Sequence, residues 1–139
     1  MSYLVKAIKL AVLSHEGQLD KAGSPYILHP LRMMFRFQNE ALQMVAVLHD
    51  VVEDTEVSLE QLQEEGYPEE VITGVQAMTR RDDESYDEFI ERAASHPLAR
   101  QVKRVDLEDN MNVLRLANPS SKDFKRIARY RKCWEKLRD

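Results

Sequence analysis

Residues 41–48, Ala-Leu-Gln-Met-Val-Ala-Val-Leu, form an apolar run broken only by Gln43, and His49-Asp50-Val51-Val52-Glu53-Asp54-Thr55 follows at once. Such a run reads as a buried helix. A core helix that ends by presenting a histidine and three carboxylates is not built for stability. Burying such groups costs several kcal/mol each unless they are paired or hold a metal. We therefore read His49 and Asp50 as metal ligands, with Glu53 and Asp54 beside them for chemistry. The rest of the chain has to supply the missing ligands.

The flanking segments are helical too. Leu4, Ile8, Ala11 and Val12 recur at helical spacing, in a first helix ending near His15-Glu16-Gly17. A polar loop at 18–25 leads to a second helix at 31–37, with Pro30 in its first turn, where a missing N–H costs nothing. Asn39 or Glu40 opens the helix that carries the motif. Ser58-Leu59-Glu60-Gln61 and Ser85-Tyr86-Asp87-Glu88 have the form of capping boxes. The first should start a short helix that stops at Gly66, and Pro68 should start the next. The second should start a helix that runs to His96-Pro97. The spacing of Val102, Val105, Leu107, Met111 and Leu114 predicts one long helix over 98–116. Ser120 or Ser121 caps a last helix, with Phe124, Ile127, Ala128, Cys133, Trp134 and Leu137 inward. Nothing alternates with period two, no Asn-Gly or Asp-Gly hairpin signal occurs, and glycine is scarce. The pattern predicts an all-α bundle. With no repeat, linker or low-complexity segment in 139 residues, it predicts one domain over 1–139.

Charge and composition narrow the function classes. With 20 basic and 24 acidic residues the net charge is −4, which offers no global attraction to nucleic acid or an anionic membrane. The basic residues that crowd the C-terminal third can still attract a small phosphorylated ligand. No stretch approaches the ~20 apolar residues of a membrane span. Lys6 and Lys9 interrupt any signal-peptide core. The single Cys133 forms no internal disulfide, fits a reducing compartment, and reads as an ordinary helix residue. The expected location is the cytoplasm.

Four positions can close a metal site: His29, His49, Asp50 and Asp106. Neighbours on a helix differ by about 100°, so His49 and Asp50 both lean over one face. His29 lies at the mouth of a neighbouring helix, and Asp106 sits between Val105 and Leu107. Taken singly, a His before Pro is an ordinary loop or cap residue, and His49-Asp50 is only a dipeptide. Together they make a borderline-to-hard donor set that suits Mn²⁺ or Fe²⁺, and Zn²⁺ less specifically. Lys103, Arg115, Lys122 and Lys125 read as solvated charges, His15 as a helix-end residue and His96 as a loop residue.

Three separated motifs carry a family resemblance. Gly17-Gln18, Lys21, Gly23, Pro25-Tyr26-Ile27 and His29-Pro30 form the first. Leu48-His49-Asp50-Val51-Val52-Glu53-Asp54-Thr55 is the second. Val102-Lys103 with Asp106 and Asn110 is the third. In order and spacing, over nearly the whole chain, they resemble the hydrolase domain of RelA/SpoT homologue proteins. Without synthetase and regulatory domains, the chain looks like the stand-alone small alarmone hydrolases. The resemblance implies a helical HD-domain bundle with a metal, usually Mn²⁺, held by His29, His49, Asp50 and Asp106. It implies hydrolysis of the 3′-diphosphate of guanosine tetra- or pentaphosphate to pyrophosphate and GDP or GTP. Glu53 and Asp54 would handle the attacking water. Asn110 would contact the nucleotide, and Lys21 matches a basic position facing it. Arg126 and Tyr130, four apart on the last helix, would hold a phosphate and pack against the sugar or base.

The chain departs from the family at Asp20-Lys21, where Arg-Lys is usual. The Arg, where present, stacks on guanine; a carboxylate cannot do so and repels phosphates. Asp109 also stands where a basic or aromatic residue is common. Two other functions therefore stay open beside alarmone hydrolysis. One is hydrolysis of another nucleotide, such as an NADPH 2′-phosphate or a nucleoside monophosphate. The other is a non-catalytic binding module, against which the intact Glu53-Asp54 pair argues.

Overall fold

The computed structural model describes residues 2–138, and they are all-α. In chain order the helices are α1 (Tyr3–Ser14), α2 (Leu28–Met34), α3 (Glu40–Leu48), α4 (Val51–Asp54), α5 (Leu59–Glu64), α6 (Glu69–Ala77), α7 (Tyr86–Ala94) and α8 (Pro97–Asn110). A 3₁₀ turn (Val113–Arg115) and α9 (Ser121–Leu137) complete the chain. No helix among the described residues is long and apolar enough to cross a membrane.

The apolar run is the centre of the bundle. α3 packs against α1, α2, α6 and α8, and Val45, Ala46, Val47 and Leu48 are fully buried. Asn39 starts it as predicted, its side chain accepting from the Leu42 N–H at 3.1 Å. The Ser58/Gln61 and Ser85/Glu88 boxes both form. A third, Ser120/Asp123, starts α9. Gly66 ends its segment with φ +83°, a left-handed conformation that glycine adopts without steric cost. α6 meets α3 through Gly74, where a Cβ would lie 2.8 Å from Val45 Cγ2.

Four sequence expectations are corrected. α2 spans Leu28–Met34, three residues earlier at both ends than the pattern predicts, since the preceding turn already bonds the Leu28 and His29 N–H groups to the Pro25 and Tyr26 carbonyls at 3.2 and 3.0 Å. The long helix predicted over 98–116 stops at Asn110. The Asn112 side chain accepts from the Leu114 N–H at 3.2 Å and so competes with helical continuation. Leu114, read as an inward residue, is 89% exposed. On α9, Phe124 and Ala128 face solvent. The inward stripe is Tyr130, Cys133, Trp134 and Leu137, because only the C-terminal half of α9 packs on α7 and α8, through Ile90 and Leu107. His96 is the N-cap of α8 rather than a loop residue. Its Nδ1 accepts from the Leu98 and Ala99 N–H groups at 3.2 Å.

Candidate metal centre

Helices α2, α3 and α8 and the break between α3 and α4 converge on one buried point. His49 ends α3, and its Nδ1 donates to the Ala46 carbonyl at 2.6 Å. That bond puts the proton of a neutral ring on Nδ1 and leaves a lone pair on Nε2. Nε2 lies 2.8 Å from Asp50 Oδ2 and 3.5 Å from Asp106 Oδ1. It is nonetheless a buried atom with no aligned hydrogen-bond partner. A lone pair facing two carboxylates in the interior requires a positive charge between them. Burial lowers the His49 pKa, but Asp50 and Asp106 outweigh it and raise the pKa well above the ordinary value. The pocket attracts cations.

His29, on α2, completes the set. Its Nδ1 faces Asp109 Oδ2 at 2.6 Å and its Nε2 faces Asp106 Oδ1 at 2.9 Å. His29, His49 and Asp50 each offer a ligand atom, all within 4.8 Å of one another. Asp106 is not in that mutual group, though its Oδ1 approaches both imidazoles. It also accepts from Lys103 Nζ at 2.8 Å and from Asn110 Nδ2 at 3.1 Å. Tyr26 donates its hydroxyl to Asp50 Oδ2. Two imidazoles and two carboxylates fit a divalent cation of borderline or hard character.

Glu53 and Asp54 lie on α4, one turn beyond the histidine, and are exposed. Partial desolvation of the carboxyl groups by the neighbouring bundle, and then the adjacent Asp50 charge, raise both pKa values. Both carboxyls are therefore easier to protonate than a free side chain.

Beside the cluster lies a cavity of about 270 Å³. Lys21, Asn110, Arg126 and Tyr130, chosen from the sequence as nucleotide contacts, all line it. Tyr26 and Asn110 belong to both cavity and cluster. Burial and the Arg126 charge lower the Lys21 pKa, as expected of two cations that share a wall.

Sequence reasoning missed the groups that support the ligands. Lys103 is not a solvated charge: it is 7% exposed and paired with Asp106, its Nζ 5.0 Å from the Phe89 ring centroid. Arg115 is half-buried and bonded to Asp20 and Asp109. Asp109 receives His29 and is bound by both Arg32 Nε and Nη2 at 2.9 Å. Its helical spacing of three from Asp106 was the available signal. Asp20, a phosphate-repelling charge by sequence, is bonded to its own loop and to Arg115. His15 ends α1 as expected, though buried, with Nδ1 facing Gln18 Oε1 at 2.9 Å.

No family model matches the chain. Among curated proteins it is similar to a guanosine-3′,5′-bis(diphosphate) 3′-pyrophosphohydrolase of Borreliella burgdorferi. The identity is 34% over 84 residues, 58% of this chain and 12% of that protein. A probable GTP pyrophosphokinase of Mycobacterium leprae is 31% identical over 132 residues, 86% of this chain and 17% of that one. A probable guanosine-3′,5′-bis(diphosphate) 3′-pyrophosphohydrolase of Synechocystis is 31% identical over 141 residues, 91% of this chain and 18% of that one. The chain spans less than a fifth of the length of these relatives. A solved structure described as a metazoan ortholog of SpoT that hydrolyzes ppGpp superposes with a TM-score of 0.81 at 24% identity. The match covers 99% of this chain and 86% of that one. The fold is thus the all-α HD bundle of the SpoT-type hydrolases. The chain belongs to the RelA/SpoT homologue family, matching a small segment of its long members.

Proposed function

We propose that residues 1–139 act as one HD-type domain that hydrolyses the 3′-diphosphate of guanosine tetra- or pentaphosphate in the cytoplasm. The products are pyrophosphate and GDP or GTP. The observation that carries this reading is an adjacency. The cation-attracting cluster of His29, His49, Asp50 and Asp106 shares Tyr26 and Asn110 with a cavity whose wall holds Lys21, Arg126 and Tyr130. The relatives' names include both hydrolases and pyrophosphokinases, so the site has to distinguish them. A carboxylate-histidine cluster with a proton-accepting pair beside it suits hydrolysis.

His29, His49, Asp50 and Asp106 would hold a divalent ion, with Mn²⁺ our choice. When bound, such an ion lowers the pKa of water toward ~7 and neutralises charge on the attacked phosphoryl group. Glu53 and Asp54 take the proton of the attacking water and return one to the departing ribose oxygen. Their raised pKa values suit both tasks. Lys21 and Arg126 attract the anionic substrate, Asn110 bonds the nucleotide, and Tyr130 packs against its sugar or base. The partner is this small nucleotide, not nucleic acid or a membrane.

The test is a hydrolysis panel in Mn²⁺ with guanosine tetraphosphate, NADPH and common nucleotides, followed by product analysis. Release of pyrophosphate and GDP, abolished in the Glu53→Ala/Asp54→Ala double variant, is expected. Intact guanosine tetraphosphate beside turnover of another nucleotide would overturn the substrate. Full activity in the double variant would overturn the roles given to Glu53 and Asp54.

A further inference from the structure

Among the described residues that line the nucleotide cavity, Asp20 is the one carboxylate. Its charge is already neutralised. Oδ1 accepts from the Ala22 and Ser24 N–H groups, both at 2.9 Å, which closes the loop on itself. Oδ2 faces Arg115 Nη1 at 3.3 Å. Arg115 donates Nη2 to the Asp109 carbonyl at 2.9 Å, and the same nitrogen is 3.6 Å from the Asp109 carboxylate. Its side chain keeps 26% of its surface open and lines the cavity.

The two anchors of Arg115 differ in strength. Charge-assisted bonds of good quality are short, about 2.7–2.9 Å, and often bidentate. The Arg32–Asp109 pair has that form, with two bonds at 2.9 Å. The Asp20–Arg115 contact is single and longer. A phosphate oxygen can replace Asp20 Oδ2 at Nη1 while the Asp109 carbonyl keeps the guanidinium in place. Asp20 would then remain in its loop, still bonded to Ala22 and Ser24. Asp109 stands between Arg115 and the ligand His29. Arg115 bonds none of the four ligand residues directly, which places it for a phosphate of the nucleotide other than the one held at the metal centre.

We propose that Arg115 recognises the 5′-phosphates of the bound nucleotide, and that Asp20 holds the guanidinium ready as a carboxylate stand-in for them. The proposal rests on the nucleotide reading of the cavity. It assigns a specificity role to two residues: Arg115 attracts the 5′-diphosphate, and Asp20 competes with it.

Calorimetric titration of the full chain in Mn²⁺, with GDP and guanosine as probes, tests this. The wild type should prefer GDP. In Arg115→Gln that preference should fall on the order of tenfold, the effect of losing one charge-assisted bond. In Asp20→Asn it should rise, because the competing charge is gone while an amide oxygen still accepts from Ala22 and Ser24. A merely structural pair would weaken both probes equally in both variants, and that result overturns the proposal. So does an unchanged preference in Arg115→Gln, or a reduced one in Asp20→Asn. If Arg115→Gln does not fold, Asp20→Asn decides alone, since only competition raises the preference for GDP. The two readings fail separately. Preference as described with guanosine tetraphosphate left intact rejects hydrolysis but not this recognition. Turnover of guanosine tetraphosphate with the same GDP preference in all three proteins rejects the recognition alone.

Discussion

Replacing Asp109 by alanine should weaken metal binding without touching a ligand. The Asp109 carboxylate accepts from His29 Nδ1 at 2.6 Å and from Arg32 twice at 2.9 Å. Burial raises its pKa, but the bonds from His29 and Arg32 outweigh that and hold it well below the usual carboxylate range. The bond fixes the proton of a neutral His29 on Nδ1, so Nε2 presents its lone pair to the cluster. In Asp109→Ala a buried N–H loses its acceptor, which costs about 1.5–3 kcal/mol for a bond to a charged group. The Arg32 side chain is 37% exposed and regains water, so its share is discounted toward the surface value of about 0–1 kcal/mol. A stability loss of about 1.5–4 kcal/mol follows from the two. Metal affinity should fall by about 10–100-fold, the usual effect of removing an outer partner of a ligating histidine. Thermal melts read the first quantity. Titration of Mn²⁺ against its free-ion electron paramagnetic resonance signal reads the second. Asp109→Asn separates them, because its amide oxygen still accepts from Nδ1 but carries no charge. It should regain most of the stability and only part of the affinity. Wild-type Mn²⁺ affinity in a folded Asp109→Ala protein would refute the reasoning.

Two further perturbations test the fold. Gly74→Ala sets a Cβ 2.8 Å from Val45 Cγ2 and 3.6 Å from His96 Cε1. Overpacking there should cost about 1–3 kcal/mol, read as a lower melting temperature; an unchanged or higher one would show that α3 and α6 separate freely. The second is pH dependence at Glu84. Its side-chain bonds from Arg92, at 2.8 and 3.0 Å, hold the carboxyl at about 2 against an ordinary 4.5. A depressed pKa means stability that is present above 4.5 and lost as pH falls through about 2. The gap in melting temperature between wild type and Glu84→Gln should be full at neutral pH and close toward pH 2. A gap that stays constant on acidification would contradict the assignment.

The helical class was legible because it is local. Capping boxes and 3.6-residue stripes act within one helix, and the apolar run dictated which helix lies at the centre. His49-Asp50 was legible for a related reason: two polar ligand types end a stretch that must be buried. What sequence reasoning misassigned involves partners distant along the chain. Lys103 sits on an amphipathic helix, and lysine is rarely buried without a partner. Solvation is therefore what its position implies, and the Asp106 carboxylate and the Phe89 ring, brought beside it by the fold, override that. Asp109 meets residues about 80 positions away, and Arg115 meets one 95 positions away, pairings that no period encodes. The premature end of α8 depended on one asparagine that prefers its own backbone to the helix.

Those distant partners also explain where the bundle leaves a charge open. Lys103 neutralises Asp106, Arg32 neutralises Asp109, and Arg115 neutralises Asp20. Each pair is held within or beside the core, where an unpaired carboxylate would cost several kcal/mol. Asp50 breaks the series. Among the described residues no lysine or arginine pairs with it; it has the Tyr26 hydroxyl and the lone-pair side of His49. The pairing of its neighbours with built-in cations is what makes this gap specific. An external cation gains most at Asp50, the half-buried carboxylate of the cluster without a lysine or arginine of its own. That carboxylate is the residue that ends the central helix beside His49, facing the ring nitrogen that has no aligned hydrogen-bond partner.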